Sequence, residues 1–211
     1  MIKKVFVLCF ALVCSGFISA QNQNELLGKN LIQNANAEIG KGLLDASSTL
    51  VSIPAWTRIG NASVLMYGAS GGFPDLTSPG SLERGLQFFV GGASSEASSL
   101  VQTINLENAI KPISTGKLRF QLSGYLGGYE SQNDYAEVTA RFIDQYGKAL
   151  KTARLTRVLA AERNNITGFV QRFVEGSVPS QTKRVVISII MQRLAPSYND
   201  GSADDLSFLL K

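Results

Sequence analysis

Three long runs of this chain alternate apolar and polar residues with a period of two, and that period limits what the chain can become. Leu118, Phe120 and Leu122 alternate with Lys117, Arg119 and Gln121. Ala136, Val138, Ala140 and Phe142 alternate with Tyr135, Glu137, Thr139 and Arg141. Val185, Ile187, Ile189 and Met191 occupy one face of a third run, with Arg184, Ser188 and Gln192 on the other. Successive side chains of a strand point to opposite faces, so each run sets one face in a core and one in water. Shorter runs lie at residues 31–33, 55–59, 63–67, 86–91, 100–106, 149–156, 168–174 and 206–210. Turn-forming clusters such as Gly71-Gly72-Phe73-Pro74, Ser78-Pro79-Gly80, Gly127-Gly128, Gln145-Tyr146-Gly147-Lys148 and Asp200-Gly201 separate them. Helical character is confined to residues 43–50 and 106–110. About ten strands with turns at this spacing predict a single all-β domain, a sandwich or barrel with at most short helices.

The fold begins after a leader. Lys3 and Lys4 form a basic start, residues 5–17 are apolar, and Ile18-Ser19-Ala20 is a small-residue cleavage site before Gln21-Asn22-Gln23-Asn24. The apolar run falls short of the roughly 20 residues that a membrane span needs, so the mature protein is expected to have none. A retained N-terminal anchor is the alternative. Cys14 invites a lipoprotein reading, against which the bulky Val13 counts. The expected division is residues 1–20 as signal peptide, 21–29 as a polar linker and 30–211 as the domain. The expected destination is outside the cell, or the periplasm of a Gram-negative source.

Losing the leader removes chemistry. Cys9 and Cys14 are the only cysteines, and the chain has no histidine. Zinc, copper and iron–sulfur sites lose their usual ligands, while oxygen ligands suited to calcium or magnesium remain. Lys+Arg number 20 against 16 Asp+Glu, and Lys3 and Lys4 leave with the leader, so the remainder is nearly balanced. It carries no basic block, and nucleic acid is not an expected partner.

Two short motifs bracket the domain. It opens with Asn30-Leu31-Ile32-Gln33-Asn34-Ala35-Asn36-Ala37-Glu38, followed by Pro54-Ala55-Trp56-Thr57, and closes with Ala203-Asp204-Asp205-Leu206-Ser207-Phe208. In this order the landmarks resemble secreted bacterial modules of the galactose-binding-domain-like superfamily, which includes many carbohydrate-binding modules. The resemblance spans about residues 30–210. It implies a jelly-roll β-sandwich of two antiparallel sheets whose first and last strands adjoin. It also implies a structural Ca2+, held by carboxylates from the two motifs and by backbone carbonyls. Carried over by position, these are Glu38 and Asp204, with Asn36, Asn199 and Asp200 as accessories. Calcium takes 6–8 oxygens at roughly 2.3–2.6 Å, and two carboxylates offset its charge. The alternative is that these residues only cap turns, as Asn and Asp do by bonding nearby backbone.

Catalytic signatures are thin. Gly68-Ala69-Ser70-Gly71-Gly72 matches the nucleophile-elbow pattern, but no histidine exists to take the serine proton. A glycosidase needs two carboxylates roughly 5–9 Å apart, and no spacing among Glu83, Glu96, Glu130, Asp134, Glu137 and Glu162 singles out a pair. Aromatic rings that stack on sugar faces are better represented. Trp56 reads as core rather than platform. The stretch Gly124-Tyr125-Leu126-Gly127-Gly128-Tyr129-Glu130-Ser131-Gln132-Asn133-Asp134 combines two tyrosines, glycines and polar side chains, as a shallow binding loop does. The candidate ligand residues are Tyr125, Tyr129, Glu130, Gln132 and Tyr198. The expected function is a secreted, non-catalytic module that recognises a carbohydrate or a cell-surface or matrix polymer. The alternatives are an adhesive protein-interaction module and a small secreted hydrolase.

Overall fold

The computed structural model describes residues 26–195 and 197–211. The expected leader, and residues 21–25 of the expected linker, lie outside them. Among the described residues eleven strands form two sheets. In chain order they are β1 (Leu43–Asp45), β2 (Thr57–Ile59), β3 (Ser63–Ser70), β4 (Gln87–Ala93), β5 (Ala97–Asn105), β6 (Arg119–Gly128), β7 (Tyr135–Ile143), β8 (Ala149–Leu155), β9 (Gly168–Ser177), β10 (Arg184–Gln192) and β11 (Tyr198–Leu210). One short helix, α1 (Ile110–Ser114), follows β5. The six-stranded sheet runs β1-β3-β4-β11-β6-β9 and the five-stranded sheet β2-β5-β10-β7-β8. Every pairing is antiparallel except β1 with β3, which is parallel.

The period-two runs become β6, β7 and β10, and their apolar faces meet between the sheets. Phe120, Phe142 and Phe208 are fully buried there, with ring centroids 4.8–6.1 Å apart. Burying each such side chain contributes about 1.5–3 kcal/mol. Residues 43–50, expected to be helical, instead begin with β1. The Asp45 carboxylate accepts the Ser47 N–H at 3.0 Å, a local bond that competes with helical pairing.

Residues 31–33, expected as the first strand, lie along β11 without forming a regular ladder. Gly28 N–H donates to Leu210 O and Leu31 N–H to Phe208 O, both at 2.9 Å. Between them Asn30 acts as a backbone rung: its Nδ2 donates to Leu206 O at 2.8 Å and its Oδ1 accepts Phe208 N–H at 3.0 Å. The opening segment is thereby fastened to the closing strand.

Part of the outer face of the six-stranded sheet is covered. Leu65, Phe88, Val90 and Phe169 form a second cluster there with Tyr67, Phe73, Tyr125 and Tyr198. Residues 71–86 fold over it, anchored by Gly68 N–H to Pro74 O at 2.9 Å and Phe169 N–H to Pro79 O at 2.8 Å.

Candidate functional site

The two end motifs converge on a bulge in β11. Asp204 pairs with Tyr125 of β6, but Ser207 pairs with Ser123, so the register slips between them. Asp205 accommodates the bulge with φ 46, a left-handed conformation that Asp tolerates better than most residues. Asp204 is 1% exposed; its Oδ2 accepts the Tyr67 hydroxyl at 2.6 Å and its Oδ1 the Asp205 N–H at 2.8 Å. Burial pushes the Asp204 carboxyl up to about 8, with the Asp205 and Glu38 charges adding and the two hydrogen bonds opposing. Burial, then Asp204, pushes the Tyr67 phenol up as well, against Arg84, whose guanidinium lies 5.3 Å from the ring centre.

Glu38 comes from the opening motif. Its Oε1 accepts Leu86 N–H and Gln87 N–H, both at 2.8 Å, and so ties that motif to β4. A Cβ at position 85 would collide with this carboxylate, so any other residue there would push Glu38 off these two hydrogen bonds. A cation can be tested against these groups. Among the described residues no three acidic side chains converge as a ready-made ligand set. The knot nevertheless contains a buried carboxylate with a raised pKa and a second buried oxygen, Asp205 Oδ2, with no hydrogen-bond partner. Such atoms fit an oxygen-seeking cation.

Beside the knot lies a cleft of about 750 Å³, lined among others by Asn36, Leu82, Glu83, Tyr125, Gln171 and Asp205. The pairing of β6 with β9 sets Gln171 directly opposite Tyr125. The cleft thus offers one aromatic ring, amides that donate and accept, and carboxylates that accept.

The five predicted ligand residues separate. Tyr125 belongs to this cleft. Tyr129 and Glu130 follow the end of β6, and Glu130 lines a different hollow of about 710 Å³ with Phe73, Asp75, Asn165 and Thr167. Gly72 belongs to the same hollow, and a Cβ on it would lie 2.7 Å from the Tyr129 ring, so the two loops share one surface. Donation of the Tyr129 hydroxyl to the Glu130 carboxylate, then the charge of that carboxylate, holds the phenol above its ordinary value. Gln132 and Tyr198 sit differently, with Gln132 Oε1 and the Tyr198 hydroxyl buried and unpartnered. The Tyr198 ring packs edge-on against Phe73 at 5.2 Å, and burial pushes its phenol up.

Other sequence candidates are structural in their surroundings. Trp56 is 8% exposed, packs edge-on against Phe89 at 5.6 Å and donates its Nε1–H to Asn34 O at 3.0 Å. Ser70 ends β3 and leads into a turn rather than a helix, which is not elbow geometry. Asp134 is fully buried and accepts Leu194, Ala195 and Asp200 N–H groups at 2.6, 2.7 and 3.1 Å. Next to it, burial and then the Asp134 charge push Asp200 up to about 7, against Arg163. Sequence reasoning missed Gln171 and Glu83 as cleft residues. Gln171 has a signal only once the β6–β9 register is known.

No protein-family model matches the chain, and no curated protein matches it. Solved structures do. The enzymatically active domain of tailspike protein 4 from bacteriophage CBA120 aligns with TM-score 0.51 and 16% identity over 86% of this chain. This alignment takes in 21% of the phage chain. Family 16 Carbohydrate Binding Module-2 aligns with TM-score 0.51 and 13% identity, over 85% of this chain and 99% of that one. The fold is a jelly-roll sandwich. Among the described residues no helix is long and apolar enough to cross a membrane.

Proposed function

We propose that this chain is an exported glycan-binding module of the galactose-binding-like type, which holds a sugar in the cleft beside β11 and does no chemistry on it. The observation that carries the reading is the pairing of Tyr125 with Gln171 inside a cleft whose other lining residues include Asn36, Glu83 and Asp205. A sugar ring presents C–H faces that rest on an aromatic ring, while amides and carboxylates take its hydroxyls. The fold supports it too, since a module named for carbohydrate binding aligns over 99% of its length. The acid pair Asp134 and Asp200 offers no reaction centre, because all three hydrogen bonds to Asp134 come from backbone and it has no exposed surface.

A structural Ca2+ belongs to the proposal. Glu38 and Asp204, with Asn36 as accessory and Asp205 Oδ2 beside them, would hold it together with backbone carbonyls. Because no three acidic side chains converge among the described residues, these groups would have to draw in around the ion. Asp205 belongs to both knot and cleft, so a settled knot keeps the cleft wall in place.

The test is affinity electrophoresis and calorimetry against neutral polysaccharides and their oligomers, with Tyr125→Ala and Gln171→Ala beside the parent. Retention by at least one neutral glycan, weakened tenfold or more by each substitution in a protein that still unfolds cooperatively, is expected. Failure of every glycan at millimolar sugar, or binding untouched by both changes, would sink the assignment of this cleft.

A further inference from the structure

We infer that the outward face of the five-stranded sheet is a second binding surface, made for an acidic glycan chain carrying carboxylate or sulfate groups. The inference rests on the reading of the fold as glycan-binding but uses the opposite sheet.

Register places the charges. Val185 of β10, Ala140 and Phe142 of β7 and Ala153 of β8 are buried inward, so Arg184, Arg141 and Arg154 stand on the outward face of the same strands. Arg184 pairs with Ile143, two residues beyond Arg141, and Arg141 pairs with Thr152, two residues before Arg154. The three arginines are therefore diagonal neighbours on consecutive strands, about 7–8 Å per step. The pairs around them are neutral, with Val186 opposite Arg141 and Thr139 opposite Arg154. Glu137 is the acid of this face, and it is spent on Arg154 at 2.7 Å. Arg141 and Arg184 have no ion-pair or hydrogen-bond partner among the described residues.

The track ends in a hollow. Arg184 reaches the turn after β7, where a Cβ on Gly147 would lie 3.8 Å from its Nη2. That turn presents Tyr146, 86% exposed, at a hollow of about 390 Å³ that Lys183, Gln145 and Gln181 also line. Asp144 lines it too, but its Oδ1 accepts Tyr146 and Lys148 N–H at 2.8 and 2.9 Å and faces the backbone. Unpaired guanidiniums recognise carboxylate and sulfate oxygens in forked pairs, and an exposed tyrosine offers a platform for a ring. Single-stranded nucleic acid is the less fitting polyanion, since it is held by successive stacking rings. Besides Tyr146 the outward face of these strands carries Tyr135, and its ring is already capped by Arg157 at 5.0 Å.

The full chain is titrated with polygalacturonate, dextran sulfate, neutral dextran and a single-stranded oligonucleotide, at low and at 0.5 M salt. Arg141→Ala/Arg184→Ala is the test variant and Tyr125→Ala the control, each checked by melting. Binding to the uronate or the sulfate arm, lost tenfold or more in the double variant and in high salt but kept in Tyr125→Ala, is expected; the arm that binds names the anionic group. Equal retention of neutral and acidic polymers, indifference to the double substitution, or binding of the oligonucleotide alone would overturn it. Those outcomes leave the neutral-glycan result of the Tyr125 cleft standing, so the two failures are separable.

Discussion

Replacing Asp200 by Asn should stabilise this protein at neutral pH, and the structure sets the size of the effect. Asp200 is 9% exposed, and its carboxyl is pushed from 3.8 to about 7 by burial first and Asp134 second, with Arg163 opposing. A carboxyl whose folded value is raised favours the folded state only while protonated. Its contribution is complete below about pH 4 and is lost as pH rises through about 7. At pH 7 nearly three pH units of this loss have accrued, at about 1.4 kcal/mol each, so ionising Asp200 costs about 4 kcal/mol as an upper figure. The amide of Asn has the shape of the protonated acid and no charge to strand. In urea unfolding across pH 4 to 8, Asp200→Asn should match the parent near pH 4 and exceed it by about 2–4 kcal/mol at pH 8. Asp204 titrates in both proteins and cancels from the difference. A difference that stays flat with pH, or a variant weaker than the parent at pH 8, would refute the reasoning, because Asp200 would then be ionised comfortably in the fold.

Two further outcomes bear on the clasp. Removing divalent cations with a chelator should lower the melting temperature by about 5–10 °C relative to calcium at a hundred times its Kd, since that excess is worth about 2.7 kcal/mol. Equal melting in both, shared by Asp204→Ala, would show that the knot stands without metal. Asn30→Ala removes the rung that serves Leu206 O and Phe208 N–H and should cost about 2–4 kcal/mol in urea unfolding at unchanged m-value. A loss under about 0.5 kcal/mol would mean that water replaces the rung.

Much of the sandwich was legible because its central strands have one wet face and one dry face. Arg141 between Ala140 and Phe142 can occur in a strand only if it points away from them, and β6, β7 and β10 were read correctly on that ground. The pattern fails where both faces are dry. β11 begins at Tyr198 rather than near residue 206 because Asn199 to Asp204 are buried on both sides, the outer side lying at the cluster that residues 71–86 cover. β6 runs on to Gly128 for the same reason, so the first part of what looked like a tyrosine-rich loop, residues 124–128, is strand, while residues 129–134 are not. That change moved Tyr125 onto a sheet face and parted it from Tyr129 and Glu130.

Alternation of side chains, turn chemistry and the missing histidine are local properties, and they were enough to set an all-β domain with no imidazole ligand for a metal. Which residues meet is a matter of register between distant segments. Gln171 faces Tyr125, and Arg184 stands one diagonal step from Arg141, because strands far apart in the chain pair in one alignment out of many. A shift of one residue would turn every one of these side chains to the other face. The packed core selects the alignment, and no short stretch of chain contains that information.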